Sequence, residues 1–383
     1  MKPSFMTGGL VMFVSLANVW PVPAQDAAGP RLSLVSNVSP SLRLSLTNAS
    51  GGNYSIQHST NLASWAAAHT LLLAATNSGS LNVTNDQPTA FYRAVAMPSV
   101  SQGRATTVVT SLLACAGARI AGVGSIVATD ETRWSVPAIT SFTNGTKASD
   151  LYNDCSGFRP SNINGVNLNA VPIVEVDADG QVITGFLFAD NYFELYVNGT
   201  LVAVDPVPYT PFNSCVVRFR AKAPITYAIR LVDWEENLGL GTELNGGNAF
   251  YAGDGGLMAS FTDGTVTGSH WKAQTFYIAP LASTNCVTEL PDGTRRSATC
   301  SSSPGCAGNC FALHYPVPPN WFAKTFNDSG WPVATTYTEA AVGVNNKPAY
   351  LNFPAQFSAS GAQFIWSSNL VLDNEVLVRF TTP

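Results

Sequence analysis

The segment Phe193-Glu-Leu-Tyr-Val197, followed by Asn198-Gly199 and Leu201-Val-Ala-Val204, decides the fold class of this chain. Two runs of aromatic and β-branched residues flank an Asn-Gly pair, which readily adopts the positive φ angles of a type I′ turn. This segment therefore predicts a tight β-hairpin. Similar strand-like runs lie on both sides of it, at residues 171–176, 182–188, 216–221, 227–234 and 375–380. Because no sustained helical period separates these runs, we expect an all-β fold with antiparallel sheets rather than a parallel α/β fold.

The composition excludes several classes of protein. With 46% hydrophobic and 11% charged residues, the chain is too apolar and too weakly charged for a disordered protein. Its net charge is −5 and its Lys and Arg are scattered, so no basic stripe is available for phosphates and we expect no nucleic-acid partner. No segment reaches roughly 18 uninterrupted apolar residues, which predicts no membrane span.

The first 24 residues have the pattern of a secretory signal peptide. Lys2 precedes the apolar run 10–20, and Val22-Pro-Ala24 places small residues before a cleavage site after Ala24. A buried N-terminal helix is the alternative interpretation. The pattern predicts a secreted protein, either extracellular or at the cell surface.

The seven cysteines fit an oxidising compartment. We expect two local disulfides among Cys286, Cys300, Cys306 and Cys310. A zinc site there is the alternative, but the spacing lacks the paired C-x2-C knuckles of most zinc ribbons. At most one more bridge can form among the three dispersed cysteines, which predicts one buried free thiol. The spacing does not fix which cysteines pair.

The N-terminal part of the mature chain resembles a known accessory module. Residues 54–62, Trp65 and Phe91-Tyr-Arg-Ala94 are similar to a short, fibronectin-like β-sandwich found in exported proteins of environmental bacteria. This resemblance implies a spacer role without catalytic residues. We expect a linker at 25–40 within a first module at 25–98, a β-jelly-roll domain at 107–285, and a disulfide-bearing β region at 286–383.

A second resemblance concerns the rest of the chain. The residues Ala189-Asp-Asn-Tyr-Phe-Glu-Leu-Tyr-Val-Asn-Gly199 resemble part of the galactose-binding-like β-jelly-roll domains attached to rhamnosidases and β-galactosidases. Phe326-Asn-Asp-Ser-Gly-Trp-Pro332, with Ile365-Trp366 and residues 376–380, is similar to another part of the same pattern. The order of the two parts is reversed here, so either one permuted jelly roll or two jelly rolls are expected. The resemblance implies a non-catalytic sugar-binding or structural module, often with a structural calcium.

Residues 231–271 form an acidic window that contains no Lys or Arg. Its six carboxylates are Asp233, Glu235, Glu236, Glu243, Asp254 and Asp263. Uncompensated carboxylates repel one another unless a cation or water separates them. The window is also rich in Gly and Asn, whose loops expose backbone carbonyls, and such hard oxygen ligands suit Ca²⁺. We therefore expect calcium to bind at Asp233, Glu235, Glu236 and Asp254, with a solvated acidic loop as the alternative.

The same window also offers groups for sugar chemistry. On a strand, Asp233 and Glu235 would lie on one face, close enough for the two carboxylates of a glycosidase. Sugar binding without catalysis needs only aromatic faces beside hydrogen-bonding groups. The aromatic residues that lie near Asn and Asp in the sequence are Trp234, Tyr251, Trp271 and Trp321.

These patterns together predict a secreted, non-catalytic protein that binds extracellular glycan or cell-surface polysaccharide, or acts as an adhesive surface component. Calcium is its candidate cofactor. Common motifs of hydrolases, phosphate loops and haem sites are absent from the sequence, and its four histidines show no metal-ligand spacing. A glycan-processing hydrolase that uses carboxylates near Asp233–Glu236 is the first alternative. A purely structural cell-envelope protein is the second.

Overall fold

The computed structural model describes residues 10–13, 31–38, 41–47, 53–62, 64–72, 78–84, 89–113, 115–116, 118–245, 248–290, 293–302 and 305–383. It confirms the all-β fold class, because strands make up 48% of the structure and helices 5%. The chain divides into two compact units. The first comprises residues 1–99, 130–132 and 315–320, and the second comprises the remainder.

The first unit is a small β-sandwich. One sheet has the strand order β1-β7-β4-β5 and the other has β2-β3-β6. Leu44 of the second sheet and Ile56 of the first belong to one buried core, so the sheets pack face to face. The strands are β1 Leu10–Phe13, β2 Arg31–Val38, β3 Ser41–Thr47, β4 Asn53–Ser59, β5 Ala66–Leu72, β6 Gly79–Thr84 and β7 Thr89–Met97.

Two sequence predictions concern the beginning of this unit. The expected linker at 25–40 is wrong over Arg31–Val38, which forms β2 and pairs antiparallel with β3. Of the expected signal peptide, the structure describes only Leu10–Phe13, as strand β1 paired parallel with Thr89–Met97. The remainder, including the cleavage site after Ala24, lies outside the described residues.

The second unit is a larger β-sandwich with an added layer. Sheet I has the order β12-β17-β14-β21-β27-β26, with β13 beside β17, and sheet II has the order β16-β15-β18-β28-β22-β25-β8. A smaller sheet III has the order β11-β10-β9. The strands of these three sheets are β8 Ser99–Gln102, β9 Thr107–Leu113, β10 Ala121–Val127, β11 Arg133–Val136, β12 Ser149–Asn153, β13 Ile173–Glu175, β14 Gln181–Asp190, β15 Tyr192–Val197, β16 Thr200–Val204, β17 Asn213–Ala221, β18 Thr226–Val232, β21 Gly256–Phe261, β22 Lys272–Leu281, β25 Phe311–His314, β26 Thr335–Tyr337, β27 Phe364–Trp366 and β28 Asp373–Thr381.

Four short strands form two separate ribbons in the same unit. They are β19 Glu243–Asn245, which pairs with β20 Asn248–Tyr251, and β23 Thr288–Glu289, which pairs with β24 Arg295–Arg296. Among the described residues, the helical segments are one α-helical turn, α1 Pro348–Leu351, and four 3₁₀ turns, Ile163–Gly165, Leu168–Ala170, Thr284–Cys286 and Ala307–Asn309.

The expected hairpin is present as β15 and β16. Asn198 and Gly199 connect the two strands with φ angles of 49° and 90°, the positive values that the Asn-Gly pair predicts. All six positions of β15 are buried. Alternate residues such as Phe193 and Leu195 face the core between sheets I and II, whereas Tyr192 packs on the other face beneath sheet III. A strand covered on both faces explains the nearly continuous apolar run in the sequence.

Strands from distant parts of the chain share the two large sheets. β28 lies between β18 and β22 in sheet II, and β27 pairs with β21 in sheet I. Residues 286–383 therefore contribute strands to the same sandwich as residues 107–285.

The numbers of local bridges, further bridges and free thiols are those that the sequence predicts. Cys286 bonds to Cys300 and Cys306 bonds to Cys310, which gives two local bridges. Cys115 and Cys155 form the third bridge, across 40 residues of sequence. Cys215 is the buried free thiol, on β17 of sheet I.

Candidate functional site

Four carboxylates lie near enough for their charges to affect one another, where the two large sheets of the second unit end. Asp190 is the last residue of β14 in sheet I, and Asp233 directly follows β18 in sheet II. Glu243 begins β19, and Asp254 lies in the loop between β20 and β21. These four residues are called the acidic cluster below.

A glycine brings two of these side chains together. A Cβ atom on Gly253 would lie 2.4 Å from Oε1 of Glu243 and 3.1 Å from Oδ1 of Asp233, so these two oxygens lie within 5.5 Å of each other. A side chain at position 253 would therefore require the Glu243 carboxylate to move. The Gly-rich character of this loop therefore has a local cause, which is the close approach of two carboxylates to the backbone.

Burial and mutual repulsion both perturb the cluster. Asp233 and Asp190 are each 4% exposed. Burial raises the pKa of Asp233 well above its usual value, and the charges of Glu243, Asp190 and Asp254 raise it further. Burial likewise raises the pKa of Asp190, and the charges of Asp254 and Glu243 add to the effect. Near neutral pH the cluster therefore favours either bound protons or a cation.

Two cationic side chains from outside the acidic window flank the cluster. Nη1 of Arg119 lies 3.0 Å from Oε2 of Glu243 and donates a hydrogen bond of 2.7 Å to the hydroxyl of Tyr209. Arg119 follows Cys115, whose disulfide fixes this part of the chain. Lys347 lies on the other side, because its charge lowers the pKa of both Asp190 and Asp254 against the effect of burial.

The expected calcium ligands do not all converge. Asp233 and Asp254 belong to the cluster, but Glu235 accepts hydrogen bonds from the backbone N–H of Gly239 and the hydroxyl of Tyr277. Burial raises the pKa of Glu235 to about 8. The strand ends at Val232, so Asp233 and Glu235 are not neighbours on one strand face, and the expected geometry of that pair is wrong.

The Glu236 carboxylate also contacts residues outside the cluster. It accepts a hydrogen bond of 2.7 Å from the backbone N–H of Leu244, and its Oε1 lies 3.9 Å from Nε of Arg119. Glu236 therefore lies at the side of the cluster that Arg119 neutralises.

A buried asparagine on β28 pairs with Asp233 through the backbone. Asn374 on β28 is opposite Asp233, whose backbone N–H donates to the Asn374 carbonyl oxygen at 2.9 Å. Side chains of opposite residues in an antiparallel pair share one face of the sheet. Asn374 is 2% exposed, and its Oδ1 atom has no hydrogen-bond partner. The residue whose backbone pairs with that of Asp233 therefore carries a buried amide oxygen without a hydrogen-bond partner.

Of the four expected sugar-stacking residues, only Tyr251 presents its ring to solvent. It is 47% exposed, whereas Trp234 and Trp271 are 0% and Trp321 is 3% exposed. The indole N–H of Trp234 donates to the Gly122 carbonyl, and its ring packs against Tyr192 beneath sheet III. Trp271 stacks on a ring in the sandwich core, and Trp321 packs against Tyr196. These three rings are core elements because the sandwich has a covering layer that the sequence did not reveal.

The exposed Tyr251 side chain lies near the carboxylates of the cluster. It pairs with Glu243 across the β19–β20 ribbon, and the charges of Asp254 and Glu243 add to the effect of burial in raising its pKa. Ile120 follows Arg119 in the chain and is 56% exposed, and Leu244 follows Glu243 and is 43% exposed.

Two other polar features lie apart from the cluster. His314 shares a hydrogen bond of 2.7 Å with Ser101, and both residues are buried, which indicates a structural pair. A cavity of about 160 Å³ is lined by residues that include Gln274, Arg295 and Ser367.

Comparison with protein-family models, with curated proteins and with solved structures finds no match to this chain. Within the part of the chain that the structure describes, no three His, Cys, Asp or Glu side chains are grouped so that they hold a metal ion. In the same residues, no helix is long and apolar enough to cross a membrane.

Proposed function

We propose that this protein is exported and binds carbohydrate, without cleaving it, at the acidic cluster and the Tyr251 ring. One observation carries the proposal: an exposed aromatic ring lies beside four converging carboxylates, across a two-stranded ribbon from Glu243. Aromatic faces stack on the C–H face of a sugar ring, and carboxylates accept hydrogen bonds from its hydroxyls. Both kinds of contact are available at this site.

Two features support the same proposal independently of the cluster. The three disulfides are typical of proteins that fold outside the reducing cytosol, which agrees with the signal-peptide pattern. The resemblance of residues 189–199 to galactose-binding-like domains implies sugar binding, and its expected all-β architecture is the observed fold class.

A glycan-array screen of the purified protein tests this function. We expect binding to a restricted set of glycans, and we expect bound glycans to remain intact after prolonged incubation. Binding to no glycan would overturn the proposal and leave the structural cell-envelope alternative.

The spacing of Asp233 and Glu243 favours a second candidate, a retaining glycoside hydrolase. One oxygen of each lies at most 5.5 Å from the other, a limit that includes the separation of about 5–5.5 Å between the two carboxyl groups of retaining enzymes. Burial raises the pKa of both Asp233 and Glu243, and at Glu243 the charge of Arg119, whose Nη1 atom lies 3.0 Å from Oε2, opposes that effect. Hydrolysis ranks second because Asp233 is 4% exposed, and a glycosidic oxygen flanked by two sugar rings has little access to it. New reducing ends, lost in Asp233→Asn and Glu243→Gln, would establish this candidate.

Calcium stays a prediction for the cluster. Carboxylate oxygens and the partnerless Oδ1 of Asn374 have the hard-ligand chemistry that Ca²⁺ prefers. A calcium ion bound there would neutralise Asp190 and Asp233 and would raise the melting temperature in a concentration-dependent way. A melting temperature that is unchanged between chelator and millimolar calcium would exclude it.

A further inference from the structure

The cavity of about 160 Å³ in the second unit lies at an interruption along one edge of β22. Near the start of this strand, the backbone N–H of Ala273 donates to the Pro332 carbonyl oxygen, and further along Tyr277 pairs with β25. Between these two positions, side chains satisfy the backbone of Thr275. Its N–H donates to Oε1 of Gln274 at 3.0 Å, and its carbonyl oxygen accepts a hydrogen bond from Nη1 of Arg295. The cavity is the space that remains where side chains take the place of a neighbouring strand.

Arg295 brings a fixed positive charge to the wall of this cavity. Its Nη1 atom is held by the Thr275 carbonyl oxygen, and its guanidinium carbon lies 4.9 Å from the centroid of the Phe276 ring. A guanidinium group stays protonated in proteins and offers its N–H donors in a planar fork. The charge is therefore present at every physiological pH and has a defined position.

The rest of the lining is polar but uncharged, apart from three apolar residues. Among the lining residues, all of which the structure describes, Arg295 alone is charged and five carry hydroxyl groups. Gln274, Thr275 and Ser367 are at most 5% exposed, so part of the polar wall is built from buried side chains. A cavity with a cation and hydroxyl groups on its wall, and no carboxylate, favours an anionic ligand.

Two carboxylates near Arg295 balance its charge only in part. Asp373 accepts hydrogen bonds from Ser367 and Ser297, and burial raises its pKa to about 7 although the charge of Arg295 opposes that rise. Asp373 is thus protonated in a fraction of the molecules at neutral pH. Glu289 is opposite Arg295 in the β23–β24 ribbon, but it is exposed, and solvent screens its charge. A ligand carboxylate would complete the balance.

The volume of the cavity limits the size of its ligand. A cavity of about 150 Å³ is large enough to admit benzene. The 160 Å³ beside β22 therefore suits a single six-membered ring or a smaller group. Pro332 and Val333 offer carbon surface to such a ring, and Thr335 and Ser368 offer hydroxyl groups.

We propose that this cavity binds a small carboxylic acid, no larger than about one six-membered ring, with its carboxylate at Arg295. The site is separate from the acidic cluster and Tyr251, so the inference does not depend on carbohydrate binding there. Charged hydrogen bonds between guanidinium and carboxylate are among the strong ones, so they supply the preference for the acid. The ring is either a hydrocarbon or a hydroxylated sugar, because the wall offers contacts to both.

Isothermal titration of the full chain with two matched pairs of probes tests the inference. The pairs are benzoate with benzamide, and glucuronate with glucose. We expect at least one acid to bind at least about tenfold more tightly than its neutral counterpart, and the tighter acid identifies the kind of ring. Arg295→Gln should remove that preference. Arg296→Gln is the matched control and should keep it, since Arg296 is the exposed neighbour of Arg295 on the same short strand.

A second pair of variants leaves Arg295 and its contacts in place. Val333 lines the cavity and is 62% exposed, so it tolerates a polar side chain. Val333→Asp places a negative charge at the cavity and should weaken binding of the acid at least about threefold relative to Val333→Asn, which has nearly the same shape. Equal affinity for the acids and their neutral counterparts, binding of none of the four probes, or unchanged affinity for the acid in Arg295→Gln would overturn the inference. None of these results bears on glycan binding at Tyr251.

Discussion

Oδ1 of Asp233 and Oε1 of Glu243 approach the same backbone position, Gly253, and lie within 5.5 Å of each other. The two residues are ten positions apart in the sequence: Asp233 directly follows β18, and Glu243 begins β19. Their convergence turns an acidic stretch into a defined site, and it predicts an unusual sensitivity of the site to the size of residue 253.

Gly253→Ala should weaken glycan binding at least about tenfold and should lower the free energy of unfolding by about 1–3 kcal/mol, because the new methyl group would displace the two carboxylates. Gly308→Ala is the matched control, since a Cβ atom there meets nothing within 4 Å. Calorimetric titration and urea unfolding of both variants measure the effect. Equal behaviour of the two variants would contradict the packing described around Gly253.

Stability should fall as the pH rises from about 5 to about 8. Burial raises the pKa of Glu235 to about 8 and that of Asp373 to about 7. Between pH 5 and 8 the folded protein therefore holds protons on these carboxyl groups that the unfolded chain has released. The resulting stabilisation of the folded state is complete below the pKa of the groups in the unfolded chain. It is lost as the pH rises through their pKa in the folded protein. Glu235→Gln should reduce the slope of the free energy against pH by up to about 1.4 kcal/mol per unit. Urea unfolding at several pH values measures the slope, and a stability that rises over this interval would contradict the buried carboxylates.

Thiol counting should give no reactive cysteine in the native protein and one in the unfolded, unreduced protein. The three bridges use six cysteines, and the seventh, Cys215, is fully buried on β17. Intact mass after alkylation, with and without denaturant, gives the count. Two or more thiols in the unreduced chain would show that a bridge is missing.

Removal of the Cys115–Cys155 bridge should affect binding as well as stability. The bridge spans 40 residues, so its loss should cost about 3–4 kcal/mol of unfolding free energy, and it releases the segment that positions Arg119 beside Glu243. We expect the Cys115→Ser, Cys155→Ser protein to bind glycan more weakly than wild type. The Cys286→Ser, Cys300→Ser protein is the control and should keep wild-type affinity. Equal affinities in the two double variants would show that Arg119 does not depend on its disulfide.

Strand content and hairpins were predictable because they depend on local sequence. The Asn198-Gly199 turn and its flanking strands follow directly from residue type. Strand β2 was missed although Leu32 and Leu34 alternate with serines, because the surrounding Ser, Asn and Pro residues favoured a linker. The period-2 pattern of apolar residues was the better signal there.

The site was predictable only in part. The density of carboxylates indicated Asp233 and Asp254, which lie in one stretch of sequence. Asp190, Arg119 and Asn374 come from distant segments that only sheet pairing and tertiary packing bring together. A Trp in a strand looks the same in the sequence whether its ring is covered or free. Burial of Trp234 follows from the position of sheet III, which no local pattern reveals.

The affinity of Tyr251→Ala for the preferred glycan tests the central claim most directly. Tyr251 is the exposed ring beside the acidic cluster, and Phe158 is an exposed aromatic residue that serves as the matched control. We expect Tyr251→Ala to lose at least about tenfold in affinity with an unchanged melting temperature, and Phe158→Ala to bind as wild type does. Wild-type affinity in the Tyr251→Ala protein would contradict carbohydrate binding at this site.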